Sequence, residues 1–213
     1  MKIASGTAER LLQINAIKLS PQNPFTWASG ILSPIYCDNR IILSFPDIRR
    51  FIIQTMVVRS NEFDGFDAIA GVATAGIAHG ALLANELNLP FAYVRSKAKE
   101  HGRQNMIEGE LKKDANILVV EDLISTGGSS MKAVEALREN GHHVIGVLAI
   151  FSYGLQSAVE VFGKGNCPFK TLSNYDALIE HALETNYIEK NDLETLKEWK
   201  KDPSGWGKNQ VLK

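Results

Sequence analysis

Residues 116–130 read NILVVEDLISTGGSS: an apolar run, two adjacent carboxylates at Glu121 and Asp122, two apolar residues at Leu123 and Ile124, then Ser125, Thr126, Gly127, Gly128 and Ser129 leading into a helix. Hydroxyls and glycines at a helix start offer free backbone N–H groups and the positive end of the helix dipole, which together hold a phosphate. Glycine also lets the backbone approach the anion without a Cβ in the way. Carboxylates so close to a phosphate need some other partner. An ionised carboxylate only accepts hydrogen bonds, so the vicinal hydroxyls of a sugar suit it. A ribose 5-phosphate satisfies both halves of the string. The alternative is an ordinary strand-to-helix turn whose Ser and Thr cap the helix and whose acids face water.

Two further stretches carry possible chemistry. Gly71-Val72-Ala73-Thr74-Ala75-Gly76 has the glycine spacing of a nucleotide P-loop, but Ile77-Ala78 stands where Lys-Ser/Thr is required, which rejects that reading. A short loop entering a helix with free N–H groups still suits a pyrophosphate, and equally suits a tight turn that needs glycine for packing. In YVRSKAKEHGRQNMIEG (93–109), Arg95, Lys97, Lys99, His101 and Arg103 put five possible cations in nine residues against Glu100 alone. Such a run is a solvated loop by default, yet cations closing over a diphosphate would neutralise charge as it develops and exclude water.

The string VVEDLISTGGS resembles the phosphoribosyl-pyrophosphate (PRPP) signature of type I phosphoribosyltransferases, and 71–76 is similar to their pyrophosphate loop. The 93–109 string resembles the catalytic loop of orotate phosphoribosyltransferases, and FTWASGILSPIYCDNR (25–40) resembles their N-terminal hood. The resemblance implies transfer of the phosphoribosyl group of PRPP to orotate, giving orotidine 5′-monophosphate and diphosphate, a step in pyrimidine nucleotide synthesis. It implies Lys99, His101 and Asp122 as catalytic residues. PRPP would rest on Glu121 to Ser129, on Thr74 and Ala75, and on Arg95, Lys99 and His101. Ser125 and Tyr36 would contact orotate, with Ser33 and Tyr36 backbone groups reading its imide edge. Mg2+ would sit mainly on PRPP oxygens and waters, with Asp122 the one candidate protein ligand. The loop 96–114 would reach into a neighbouring subunit, which implies a homodimer. Ser96 stands where members of the family also carry lysine. Phe151-Ser152-Tyr153-Gly154 occupies the region where some carry an arginine to the orotate carboxylate. A purine acceptor, or a non-catalytic PRPP-sensing regulator, would keep the same signature.

The elements that must position these residues follow from periodicity. Leu11, Leu12, Ile14 and Ile17 lie on one helical face, which predicts an opening helix over 7–18. Turn-rich residues 20–39 follow, then a helix over 44–60. Strands over 66–72, 91–95, 116–120 and 143–151 alternate with helices over 76–87, 128–140 and 155–162. That alternation predicts an α/β fold, a mostly parallel central sheet flanked by helices, in one domain; the resemblance implies that this is the type I phosphoribosyltransferase fold with a small N-terminal hood. The hood would span about 1–45 plus C-terminal elements, and the catalytic core about 46–165. Two more helices are expected at 173–184 and 189–201, and a frayed tail over 202–213. In such sheets ligands sit beyond the carboxyl ends of the strands, where 73–76, 96–114 and 121–129 emerge.

Composition narrows the class. The chain has 213 residues, 45% hydrophobic and 22% charged, as in ordinary globular proteins. Lys+Arg of 23 against Asp+Glu of 24 gives a net charge of −1, without the basic excess of a nucleic-acid binder. Cys37 and Cys167 are too few for a disulfide framework, and they suit a reducing, cytoplasmic setting. No apolar segment has the length to cross a bilayer, and residues 1–10 lack a signal-peptide core. The histidines and cysteines show no metal-ligand spacing.

Overall fold

The computed structural model describes residues 2–27, 30–96 and 106–210. Its centre is a six-stranded sheet in the order β10-β9-β8-β5-β6-β7. The strands are β5 (Ala68–Val72), β6 (Phe91–Val94), β7 (Ile107–Glu108), β8 (Asn116–Ile124), β9 (His143–Ser152) and β10 (Phe169–Asn174). All neighbours pair in parallel except β6 with β7, which are antiparallel. β5 is buried along its whole length and β8 through most of it, as expected of parallel strands covered on both faces.

Alternation along β8 and β9 sorts their side chains between two cores. Leu118, Val120, Leu148 and Ile150 join one cluster with α1 (Ile3–Gln13), α2 (Pro46–Ser60) and α3 (Ala75–Leu87). Two C-terminal helices, α6 (Tyr175–Glu184) and α7 (Asp192–Lys201), cover the same face. Ile117, Val119, Val147 and Ala149 join the other cluster, with α4 (Gly128–Glu139) and α5 (Gln156–Lys164). The N-terminal part forms two small antiparallel pairs. β1 (Ile17–Leu19) pairs with β4 (Ile35–Cys37), and β2 (Phe25–Thr26) with β3 (Leu32–Ser33). A 3-10 helix over Asn39–Ser44 then leads into α2. No helix among the described residues is long and apolar enough to cross a membrane.

Several sequence expectations need correction. The opening helix starts at Ile3, because Gly6, Thr7 and Ala8 are small residues buried along α1, which packs against α6 and β10. It ends at Gln13, since Asn15 turns left-handed at φ 55° and sends Ile17 into β1. Residues 173–174 end an edge strand rather than open a helix. β10 has one fully buried apolar residue, Leu172, so its periodicity is faint, yet β9 supplies it with a ladder. Asn174 then caps α6, its Oδ1 accepting from Ala177 N at 3.0 Å. The supposed tail contains α8 (Pro203–Gln210), with Trp206 only 5% exposed.

Candidate functional site

β5 continues through α3 to β6 on one side, whereas β8 continues through α4 to β9 on the other. Neighbouring strands whose connections leave in opposite directions create a crevice at their carboxyl ends, the usual ligand position in an open α/β sheet. Two helix N-termini face it. Neither Thr74 before α3 nor Gly127 before α4 supplies a side-chain cap, and neither first turn holds an acidic residue. The leading amides of both helices are therefore available to an anion.

Two glycines are required there. Gly127 has φ 83°, and a Cβ on it would lie 2.9 Å from the Phe162 ring. A Cβ on Gly76 would lie 2.5 Å from the Val120 carbonyl oxygen, so only glycine lets α3 start so close to β8. The Ala73–Thr74 peptide is cis, and the Thr74 side chain is exposed beside half-buried Ala75.

The acidic pair does not follow the strand, as the sequence suggested, but belongs to it. β9 keeps pairing to its own end, with Glu121 opposite Ala149, Leu123 opposite Phe151 and Ile124 opposite Ser152, and a ladder satisfies backbone groups whatever the side chains are. Glu121 is 4% exposed, and its Oε2 accepts from the hydroxyls of Ser129 (3.3 Å) and Ser130 (3.2 Å). Its Oε1 accepts from Asp122 N at 3.1 Å. Burial, and next the neighbouring Asp122 charge, raise the Glu121 carboxyl well above the usual range. Asp122 is half-buried and also raised, burial outweighing its hydrogen bonds. Asp122 is thus the more open acid of the pair, whereas Glu121 ties the strand end to the start of α4. Of the other expected residues, Thr126, Gly128 and Ser129 are exposed and Ser125 half-buried, while the Ile124 side chain lies in the core and leaves only its backbone to a ligand.

Beneath the acids, Asn39 Nδ2 donates to the Asp122 carbonyl at 2.7 Å. His79 of α3 is fully buried close by, against the Asn39 backbone. Neither ring nitrogen has a hydrogen-bond partner of good geometry, and burial lowers its pKa from 6.5 to about 4. Between those values the unfolded chain holds a proton that the folded ring refuses, so stability falls as pH falls through that window. The raised Glu121 carboxyl acts with the opposite sign, losing its contribution as pH rises. Comparison with His79→Leu isolates the histidine. The stability of wild type relative to the variant should fall by about 1.4 kcal/mol per pH unit from pH 6.5 down to 4 in urea titrations. A pH-independent difference would mean that the ring is not held neutral by burial.

Arg95 is half-buried at the end of β6, in a 3.6 Å ion pair with Glu108 of β7. Its N–H donates to the Met106 carbonyl at 2.8 Å, and β6–β7 pairing clasps the two ends of the cation-rich segment. Lys99 and His101 lie outside the described residues.

Beside the crevice a cavity of about 400 Å³ opens under the N-terminal hairpins. Thr26, Trp27, Tyr36 and Cys37 line it from the hood, and Leu123, Ser125 and Tyr153 from the ends of β8 and β9. Four of the seven carry hydroxyls and none carries a formal charge. Burial, then the Asp122 and Asp38 carboxylates, push the Cys37 thiol up, and burial raises the Tyr153 phenol, so both stay neutral at pH 7. The two residues expected at the base, Tyr36 and Ser125, meet in this cavity. Trp27 both lines it and stacks on Tyr153, with ring centroids 5.5 Å apart. Ser33 is fully buried, its hydroxyl donating to the Ile35 carbonyl at 2.8 Å. Sequence reasoning missed Thr26, Cys37 and Tyr153. The available signal for Tyr153 was its place just past the end of a parallel strand, where side chains reach the ligand face.

Comparison with known proteins agrees with this geometry. Residues 43–163 match the model of the phosphoribosyl transferase domain. A Listeria innocua protein named orotate phosphoribosyltransferase is 55% identical over 98% of this chain and 100% of its own length. A Bacteroides thetaiotaomicron protein of the same name is 56% identical over 93% of this chain and 94% of its own. The crystal structure of orotate phosphoribosyltransferase from Aeropyrum pernix superposes with a TM-score of 0.69 at 27% identity, covering 82% of this chain and 97% of that one. The fold and the paired helix starts define the class, and the chain belongs to the phosphoribosyltransferases. Within that class its similarity is to the orotate phosphoribosyltransferases over nearly the whole length.

Proposed function

We propose that the chain transfers the 5-phosphoribosyl group of PRPP to orotate, forming the bond from C1 of the ribose to the base nitrogen as the bond to diphosphate breaks. The observation that carries this is continuity between the two halves of the site. Leu123 and Ser125 border the uncharged cavity, and Thr126 to Ser129 lead from the same strand end into the uncapped start of α4. A flat base in the cavity and a ribose phosphate on α4 would meet over Asp122.

In this reading the amides of Thr126 to Ser129 take the 5-phosphate, and Thr74 and Ala75 at the start of α3 take the diphosphate with Arg95. Asp122 accepts from the ribose hydroxyls. A hydroxyl that reaches Glu121 replaces the Ser129 and Ser130 contacts. The oxygen donors of Asp122 fit a hard, largely hydrated Mg2+ that is held mainly by PRPP, and such an ion would neutralise diphosphate charge. Lys99 and His101 would stabilise the departing charge, and positioning with electrostatics would supply most of the rate. The enzyme would work in the cytoplasm as a homodimer, with the 96–114 segment serving the neighbouring site.

One assay tests the reading. With magnesium present, orotate should displace diphosphate from PRPP and its ultraviolet absorbance should fall, while adenine, xanthine and uracil should not react. Chelation of magnesium should stop the reaction. Turnover with a purine but not with orotate would overturn the base assignment.

A further inference from the structure

We propose that Trp199, on the C-terminal helix α7, is a positioning residue for base recognition, holding Trp27 and Tyr153 in place from behind the cavity wall. The inference rests on the assignment of that cavity to orotate.

Trp27 and Tyr153 come from opposite parts of the chain and stack with an interplanar angle of 21°. Local bonds fix them only in part: the Trp27 indole N–H donates to the Ile35 carbonyl and the Tyr153 backbone N–H to the Ile124 carbonyl, each at 3.1 Å. Trp27 follows the two-residue β2, and Tyr153 stands one residue past the end of β9. Behind both sits Trp199, 0% exposed. Its ring meets Trp27 edge-on at 5.8 Å and 80°, and Tyr153 at 5.5 Å and 85°. Edge-to-face contact is a preferred aromatic geometry. A shift of Trp199 therefore moves both walls at once.

Trp199 is itself anchored. Tyr175 of α6 packs on it at 5.3 Å, and the Tyr175 hydroxyl donates to the Leu196 carbonyl at 3.1 Å, tying α6 to α7. α8 clamps the hood hairpin from the same side. Gly207 lies so close to Leu32 of β3 that a Cβ there would come within 2.8 Å of the Leu32 Cβ. The Trp199 indole N–H is buried with no acceptor, which costs stability. A purely apolar side chain would fill that core position without the cost. What the indole adds is a plane broad enough to meet both rings. None of these C-terminal anchors falls within residues 43–163, which match the family model.

The test compares wild type with Trp199→Leu and Trp199→Phe in steady-state kinetics, with circular dichroism to confirm folding. Losing two aromatic contacts should raise the orotate KM about tenfold in the leucine variant. PRPP affinity, read by calorimetry, should stay near the wild-type value. Phenylalanine, which keeps one ring in place, should restore part of the loss. A folded leucine variant with wild-type orotate KM, or equal losses for orotate and PRPP, would overturn the proposal. Should the leucine variant not fold, the phenylalanine variant decides: an unchanged orotate KM overturns the proposal, and a selective rise supports it. If wild type itself consumes no orotate, the base assignment fails and takes this inference with it. If wild type is active and the Trp199 variants are indifferent, only the positioning role fails.

Discussion

Lys99→Ala should lower kcat by about a hundredfold to ten-thousandfold, the usual loss when a charge-stabilising or proton-donating side chain is removed. PRPP affinity should change little. The reason lies in when the lysine acts. In the proposed mechanism the ground-state diphosphate would still be bonded to the ribose and held by the α3 amides, and the lysine charge would be most needed as the leaving group takes up the bond electrons. An interaction stronger in the transition state than in the ground state appears in kcat and not in binding. Stopped-flow or steady-state kinetics paired with PRPP calorimetry would show it, and a variant with wild-type kcat would remove the 93–109 segment from catalysis. The same variant tests sharing of sites. Mixed with inactive Asp122→Asn, it should regain up to roughly a quarter of wild-type activity if the proposed dimer shares its sites, because a hybrid two-fold dimer would then assemble one intact site and one doubly broken one. No regain would mean that each subunit uses its own segment.

The second large effect belongs to Gly127→Ala. The residue has φ 83°, where a Cβ costs about 1–2 kcal/mol. The new methyl would also press on the Phe162 ring at 2.9 Å. That ring cannot easily yield: it is 2% exposed and packed on Phe169 at 4.4 Å between centroids. Overpacking of this kind adds about 1–3 kcal/mol. Together the two should lower the melting temperature by roughly 5–15 °C. The variant should also lose most of the thermal protection that PRPP gives, because the Gly128 and Ser129 amides are re-aimed when the turn shifts. An unchanged melting temperature with full PRPP protection would show that the α4 start tolerates a side chain and is not the phosphate cradle described above.

These expectations differ in how far they depend on tertiary structure. The 116–130 string carries its chemistry locally. Two acids, two apolar spacers and a hydroxyl-glycine run are adjacent in the chain, so their grouping needs no folding to be seen. The alternation of apolar runs with helical periods likewise fixes the class of sheet, because each run must be covered on both faces. β10 was hidden because an edge strand with one buried apolar residue draws its order from the β9 ladder and not from its own side chains.

The division of labour between Glu121 and Asp122 depended on tertiary structure. Their identities are local, but only the continued pairing with β9 and the nearness of Ser129 and Ser130 bury one acid and leave its neighbour more open. The base cavity is further still from the sequence. Trp27, Tyr153, Tyr175 and Trp199 are separated by up to 172 positions, and their stacking arises from hood, sheet end and C-terminal helices closing on one another. Spacing along a chain records contacts within a strand, a turn or a helix. It holds no record of which distant rings will share a wall, since that follows from how the layers pack.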